Sequence, residues 1–158
     1  MDVKTVDYMA LDAKQSLAAS LHETGFAVLV NHPISAKRID ESYTRWAAFF
    51  ASEDKHDWLR DPVNQDGFFP FLSENAKGAS AKDLKEFYHF YSWGRVPDQL
   101  SEMTRALYCD LVGLGQELLG WLDDEMPDAV RNAITSPLSD MMNQSEQSLF
   151  RILHYPPL

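Results

Sequence analysis

Glu23-Thr24-Gly25-Phe26-Ala27-Val28-Leu29-Val30-Asn31-His32-Pro33 is the stretch on which the fold turns. Its centre, Phe26 to Val30, is an unbroken apolar run, bounded by Gly25 on one side and by Asn31 and Pro33 on the other. The run is too short for successive helical turns and its boundaries are turn formers, so it predicts a buried strand. Amphipathic helical patterns lie on both sides of it. The local unit therefore reads as helix, buried strand, helix, with the rest of the chain covering the strand or extending its sheet.

Working outward, Val3 to Met9 reads as a short strand near a sheet edge. Asp12 is placed to cap a helix, with Gln15 reaching back in the capping-box manner, and Gly25 is a left-handed C-terminal stop; Leu17, Ala18 and Leu21 share its face. Beyond the strand, Ser35 is placed to cap a second helix. There Ile39, Tyr43, Trp46, Phe49 and Phe50 recur at the three-and-four spacing of one apolar stripe. That helix must finish before Asp61-Pro62, because a residue ahead of proline avoids the helical region. Gly67 to Leu72 is apolar but interrupted by Pro70, which fits an edge strand or a packed loop. Asn75 to Ala81 reads as a mobile surface loop.

Phe87 to Trp93 is a dense aromatic strand closed by Gly94 and Pro97. From Asp98 to about Leu122, Leu100, Met103, Leu107, Leu111, Leu114, Leu118 and Trp121 mark a long amphipathic helix. Gly113, Gly115 and Gly120 each weaken it by up to about 1 kcal/mol, so packing must hold it. Pro127 ends that helix or opens a short one through Ala133, and Ser136-Pro137 makes another break. Ser148 to Tyr155 reads as a final strand closed by Pro156-Pro157. An apolar strand so placed has no following element to pair with, an edge that complete domains avoid, so the chain is expected to be the front portion of a longer protein.

The 158 residues, 45% of them hydrophobic and 12% aromatic, suffice for one domain with a proper core. Against 14 basic side chains stand 24 acidic ones, a formal charge of -10 that repels phosphate backbones and anionic lipid. Nucleic-acid and membrane partners are therefore not expected. One cysteine, Cys109, makes no internal disulfide, and Met1-Asp2-Val3-Lys4 is followed by no apolar signal segment, which points to a cytoplasmic setting. No apolar run reaches the about 20 residues that a membrane-spanning helix requires.

Spacing alone assembles no complete active site. None of the five histidines belongs to a His-x-Asp on a strand or to a pair of His on a helix, the spacings that would aim both at one ion. His22 fits the end of the first helix, where the dipole favours a cation, and His32 fits a turn. The adjacent His56 and Asp57 point apart and read as a solvated charged patch. His89, inside the aromatic run, is a candidate to face a cofactor, whereas its packing into the core is the commoner fate. His154 and Tyr155 must lie on opposite strand faces. Cys109 has no cationic neighbour in sequence and reads as an inert packing residue. Gly113-Leu114-Gly115 lacks the preceding strand of a phosphate loop, and Asp123 with Asp124 reads as solvated helix-end charge.

Several stretches together resemble the iron(II)- and 2-oxoglutarate-dependent oxygenases of the isopenicillin N synthase and flavonoid oxygenase type. Gly25 to Ile34 is similar to that family's Gly-Phe-Phe-x-Val-x-Asn-His-Gly-Ile, with Pro33 in place of its glycine. Phe49-Phe50-Ala51-Ser52-Glu53-Asp54-Lys55 resembles its Phe-Phe followed by Glu-Glu-Lys, and Gly67-Phe68 its Gly-Tyr. Asp83 to Phe87 resembles Asp-x-Lys-Glu-x-Phe, and Arg151 to Pro157 resembles Arg-Leu-Asn-x-Tyr-Pro-Pro, with Leu153 replacing the asparagine.

The resemblance implies an α+β fold class in which N-terminal helices and short strands flank a jelly-roll core lying mostly beyond residue 158. Residues 1–158 would form one domain ending at the first barrel strand. It further implies an oxidoreductase that uses Fe(II) and 2-oxoglutarate to hydroxylate or desaturate a small-molecule substrate. The family's His-x-Asp, distant His and Arg-x-Ser lie past the Tyr-Pro-Pro segment. This chain alone is thus expected to lack metal ligands, to bind neither cofactor and to be inactive. Tyr155 is the one position carried over, as a contact to cosubstrate or substrate; the aromatic run Phe87 to Trp93 would contribute to the substrate pocket. The alternative is a noncatalytic interaction module of the same shape. An enzyme built wholly from these residues would need a His and carboxylate cluster that only the fold could assemble.

Overall fold

Parallel strands require a crossover, and in the computed structural model, which describes residues 2–75, 78, 80–143 and 145–157, a helix supplies it. Strand β1 (Thr5–Asp7) and β2 (Val28–Val30) pair in parallel, Val6 opposite Leu29, and helix α1 (Ala13–Thr24) connects them. Ser20 fastens this unit: its hydroxyl donates to the Phe26 carbonyl (2.7 Å) and accepts the Lys4 N–H (3.1 Å). Gly25 stops α1 in the left-handed region, φ 77°, donating to the Leu21 carbonyl. Val6, Ala13 and Leu17 form a small core with Leu21, Leu29, Leu118 and Trp121 packed against it.

The strand expected to be buried is not. Phe26 lies outside it, and Val28 and Val30 face outward with Val28 51% exposed, while Leu29 packs inward. A two-stranded sheet with a helix on one side shelters one face only, so burial follows the period of two. The expected capping box is absent as well. Asp12 makes no side-chain cap and accepts from the Ser16 hydroxyl, while the Gln15 amide donates to Glu125.

The chain divides into two compact units, Met1–Ile34 with Asp110–Ser145, and Ser35–Cys109 with Glu146–Leu158. In the second, α2 (Ala36–Ala51) leads through a 3-10 turn, Glu53–Trp58, to an antiparallel sheet ordered β3 (Gly67–Phe69), β4 (Glu86–Phe90), β5 (Phe150–His154). All five residues of β4 are buried, which makes this central strand the organiser of the core. Trp46, Phe49 and Phe50 of α2 pack on Phe68, Tyr88 and Phe90, with Trp46 and Tyr88 ring centres 4.9 Å apart. Tyr43, expected on that stripe, is 76% exposed; Ser42 occupies the inward position, four residues before Trp46. Ser35 sits at the N-cap without a side-chain cap bond.

Helix α3 (Asp98–Glu125) runs longer than expected, contributing residues through Cys109 to the second unit and from Asp110 on to the first. A short α4 (Asp128–Arg131) follows Pro127. Strand β4 ends at Phe90 rather than Trp93, because the chain turns there, the Gly94 N–H donating to the Tyr91 carbonyl. Asp123 is not merely solvated charge: its carboxylate accepts the Leu138 and Ser139 N–H groups and the Ser139 hydroxyl at 2.8 to 3.0 Å. Of the expected loop, Asn75, Gly78, Ser80 and Ala81 are exposed, and Ala76, Lys77 and Ala79 lie outside the described residues. No helix among the described residues is long and apolar enough to cross a membrane.

Candidate functional site

Strand register separates two chemistries on the β3–β4–β5 sheet. Phe68, Tyr88, Phe90, Phe150 and Ile152 belong to the core beneath α2, while Phe69, Phe87, His89, Arg151 and Leu153 share the other face. On that second face Phe69 and Phe87 stack at 4.4 Å, and the His89 ring lies 4.5 Å from Phe69 and 5.0 Å from Phe87. Gly67, paired with His89, has φ 109°, and a Cβ there would stand 2.8 Å from the Trp58 carbonyl oxygen. Glycine is the residue that allows β3 to start so close to that backbone.

Three cations roof the aromatic floor. The Arg151 guanidinium lies 4.5 Å from the Phe87 centroid, Lys85 Nζ 5.5 Å from it, and Arg60 5.2 Å from Phe69. Lys85 is bound by Asp83 at 2.8 Å, a contact that holds its ammonium above the usual range. Arg151 Nε donates to His89 Nε2 at 2.8 Å, and His89 Nδ1 lies 3.1 Å from the Gln65 carbonyl. Both ring nitrogens are thus in use, so His89 packs and positions instead of facing a cofactor. Burial, and then the Arg151 charge, push its pKa down.

Exposure alternates along β5, placing Arg151, Leu153 and Tyr155 in one outward row, with Tyr155 66% exposed. His154 points the other way, stacking on Phe50 at 5.1 Å with Nδ1 2.8 Å from Glu86 Oε1. Glu86 is buried and also holds Lys55 Nζ at 3.1 Å. Sequence reasoning missed this trio, since Lys55 and Glu86 stand 31 positions apart and only strand register brings His154 to them. Trp93, whose indole donates to the Glu146 carbonyl, stacks flat on Tyr91 at 4.7 Å. His22 is exposed in the last turn of α1, and His56 is exposed, 4.0 Å from Glu53. His32 is half-buried, and its Nδ1 finds no partner among the described residues. Cys109 is exposed instead of packed, because the buried stripe of α3 runs through Leu100, Met103, Thr104 and Leu107.

Iron does not fit what is here. Among the described residues no group of three or more His, Cys, Asp or Glu could hold a metal ion. The carboxylate–imidazole pair Glu86 and His154 is already spent on Lys55 and on Phe50. No chemical step through iron or 2-oxoglutarate is assigned to these residues.

A family model described as non-haem dioxygenase in morphine synthesis N-terminal matches residues 6–107. A putative oxygenase of Shewanella oneidensis has a similar structure, with TM-score 0.90 and 43% identity over 100% of this chain and 56% of its own. A putative 2OG-Fe(II) oxygenase family protein of Caulobacter crescentus is 28% identical at TM-score 0.73, over 99% of this chain and 57% of its own. Jasmonate-induced oxygenase 1 of Arabidopsis thaliana is 25% identical over 127 residues, 73% of this chain and 31% of its own. This chain thus spans about a third to somewhat over half the length of these relatives. A match over residues 6–107, more than half of the chain, decides the family: the chain belongs to the non-haem dioxygenase N-terminal family.

Proposed function

We propose that this chain is the N-terminal region of an iron(II)- and 2-oxoglutarate-dependent oxygenase that hydroxylates or desaturates a small organic substrate in the cytoplasm. The observation that carries the reading is the 43% identity, at TM-score 0.90, to the Shewanella oxygenase along the whole chain. The Caulobacter relative, a 2OG-Fe(II) oxygenase family protein, supports the cofactor pair. In this reading residues 1–158 act as one domain that flanks a jelly-roll core, and the ligands for iron and 2-oxoglutarate come from the part of the enzyme that this chain does not span. This chain supplies one wall of the substrate cavity. Leu153 forms its apolar side and the outward Tyr155 contacts substrate or cosubstrate, with the buried Phe69 and Phe87 packed behind the same sheet face.

The test is 2-oxoglutarate turnover by the iron-loaded full-length protein, read as succinate formed with and without candidate organic substrates. Succinate production that stops when iron is removed, and that weakens in Tyr155→Ala, is the expected result. Absence of 2-oxoglutarate consumption, coupled or uncoupled, would overturn the reading in favour of a noncatalytic interaction module.

A further inference from the structure

Glu86 and His154 face each other on the last rung of the β4–β5 ladder, and Tyr155 leaves the strand one residue further on. The Glu86 carboxylate, its side chain 5% exposed, can only accept, so His154 Nδ1 carries the proton of their 2.8 Å bond. Lys55 Nζ reaches the other Glu86 oxygen at 3.1 Å and the Phe50 carbonyl at 2.7 Å. The Phe50 ring stacks on the imidazole at 5.1 Å, within 16° of parallel. The end of α2 with its 3-10 turn, β4 and β5 are thereby tied together at one point.

Stability alone does not call for such an arrangement. Desolvating a buried ion pair offsets most of its attraction, and apolar side chains of similar volume hold a core as well. What a directional bond adds is a single orientation. A strand that slips by one residue exchanges its faces, which here would put Tyr155 where His154 belongs. Tyr155 has little else to aim it. It is 66% exposed, its ring stacks on no other, and its hydroxyl has no partner among the described residues. The two prolines that follow, Pro156 and Pro157, donate no backbone hydrogen bond.

Resting on the oxygenase reading above, we propose that His154, held by Glu86 and Lys55, is a positioning residue that fixes the direction in which Tyr155 leaves β5 towards its ligand. The test must tell aiming from mere support of the fold. The probe is 4-trifluoromethyl-phenylalanine at position 155 of the full-length protein, read by fluorine NMR alone and combined with His154→Leu or His154→Asn. Leucine fills the site without the bond, whereas asparagine keeps a donor at the reach of Nδ1.

One narrow resonance is expected with His154 in place and in His154→Asn, and a broadened or split one in His154→Leu, each read well below its denaturation midpoint. A midpoint that falls in His154→Leu while the resonance stays narrow overturns the proposal, because support of the fold is then the whole role. Several resonances with His154 in place overturn it without any variant at that position. With the native Tyr155, succinate formation should fall about threefold or more in His154→Leu, inside the range of couplings between neighbouring side chains, and recover in His154→Asn. That loss should shrink when Tyr155→Ala is already present; equal losses in both backgrounds overturn the proposal. A resonance that broadens in His154→Leu, in a protein that consumes no 2-oxoglutarate, upholds the aiming of Tyr155 and sinks the oxygenase reading instead.

Discussion

Arg151 and His89, partners across the β4–β5 ladder, are joined by an Nε to Nε2 hydrogen bond of 2.8 Å. The bond needs a neutral imidazole, because a protonated ring has no lone pair at Nε2 to offer. The orientation of the guanidinium on the outward sheet face is therefore tied to the protonation of a residue beneath it.

That tie gives a pH dependence with a definite sign. His89 has its pKa lowered from 6.5 in the folded protein, by burial first and by Arg151 second, so the unfolded chain takes up the proton at higher pH. The contribution to stability is complete above the ordinary imidazole value, falls as pH drops through it, and levels off below the folded value. Between about pH 7.5 and about pH 5 the unaltered protein should lose more unfolding free energy than His89→Gln. Urea denaturation of both proteins across that range measures the difference, and parallel profiles would contradict the assignment.

Glu86 is a buried carboxylate whose two oxygens reach His154 at 2.8 Å and Lys55 at 3.1 Å. Lys55 Nζ also donates to the Phe50 carbonyl at 2.7 Å, so it is fixed and mostly buried. Glu86→Ala would strand that ammonium away from its counter-charge, at a cost of about 3 kcal/mol. Replacing both members, as in Glu86→Gln with Lys55→Met, should cost less than Glu86→Ala alone. A double variant as unstable as the single one would show that the pair is not what holds β4 and β5 to the turn.

His89 and Glu86 also mark the boundary between what the sequence could disclose and what it could not. Spacing locates α1, α2 and α3, and apolar runs between turn formers locate β1, β2, β4 and β5, because these signals are local; β3 stays between an edge strand and a packed loop. Burial is not local: Phe26 to Val30 is more apolar than β4, which carries Glu86 and His89, yet Val28 and Val30 face outward because β2 lies in a two-stranded sheet packed on one face. Tyr43 sits one position from the inward line, and composition does not distinguish it from Trp46. Of the sheet face that carries Arg151, the residues themselves disclosed only the aromatic run, and Tyr155 was singled out by the family resemblance alone. Arg151 and His89 are 62 positions apart, and it takes the antiparallel register of two strands to make them one feature.

Trp46 provides the plainest check on the core beneath α2. Its ring is buried and meets Phe49 at 5.3 Å, Phe50 at 6.0 Å and Tyr88 at 4.9 Å. Trp46→Ala leaves a void that these rings cannot fill without departing from their rotamers, so the expected loss is about 3 to 5 kcal/mol. An unchanged denaturation midpoint would mean that the cluster does not hold the second unit together.

Two glycines should respond in opposite directions to the same added methyl. Gly67 opens β3 at φ 109°, a conformation closed to L side chains, and its Cβ would press on the Trp58 carbonyl oxygen at 2.8 Å and the Arg60 Cα at 3.0 Å. Those atoms are backbone and cannot swing aside, so Gly67→Ala should cost more than about 1 kcal/mol and loosen the aromatic floor beside His89. Gly113 lies inside α3, and a Cβ added there would meet nothing within 4 Å, so alanine restricts the unfolded chain and favours the helix. Gly113→Ala should gain up to about 1 kcal/mol. Denaturation midpoints that shift the same way for both variants would show that the left-handed start of β3 is not the constraint that places Gly67.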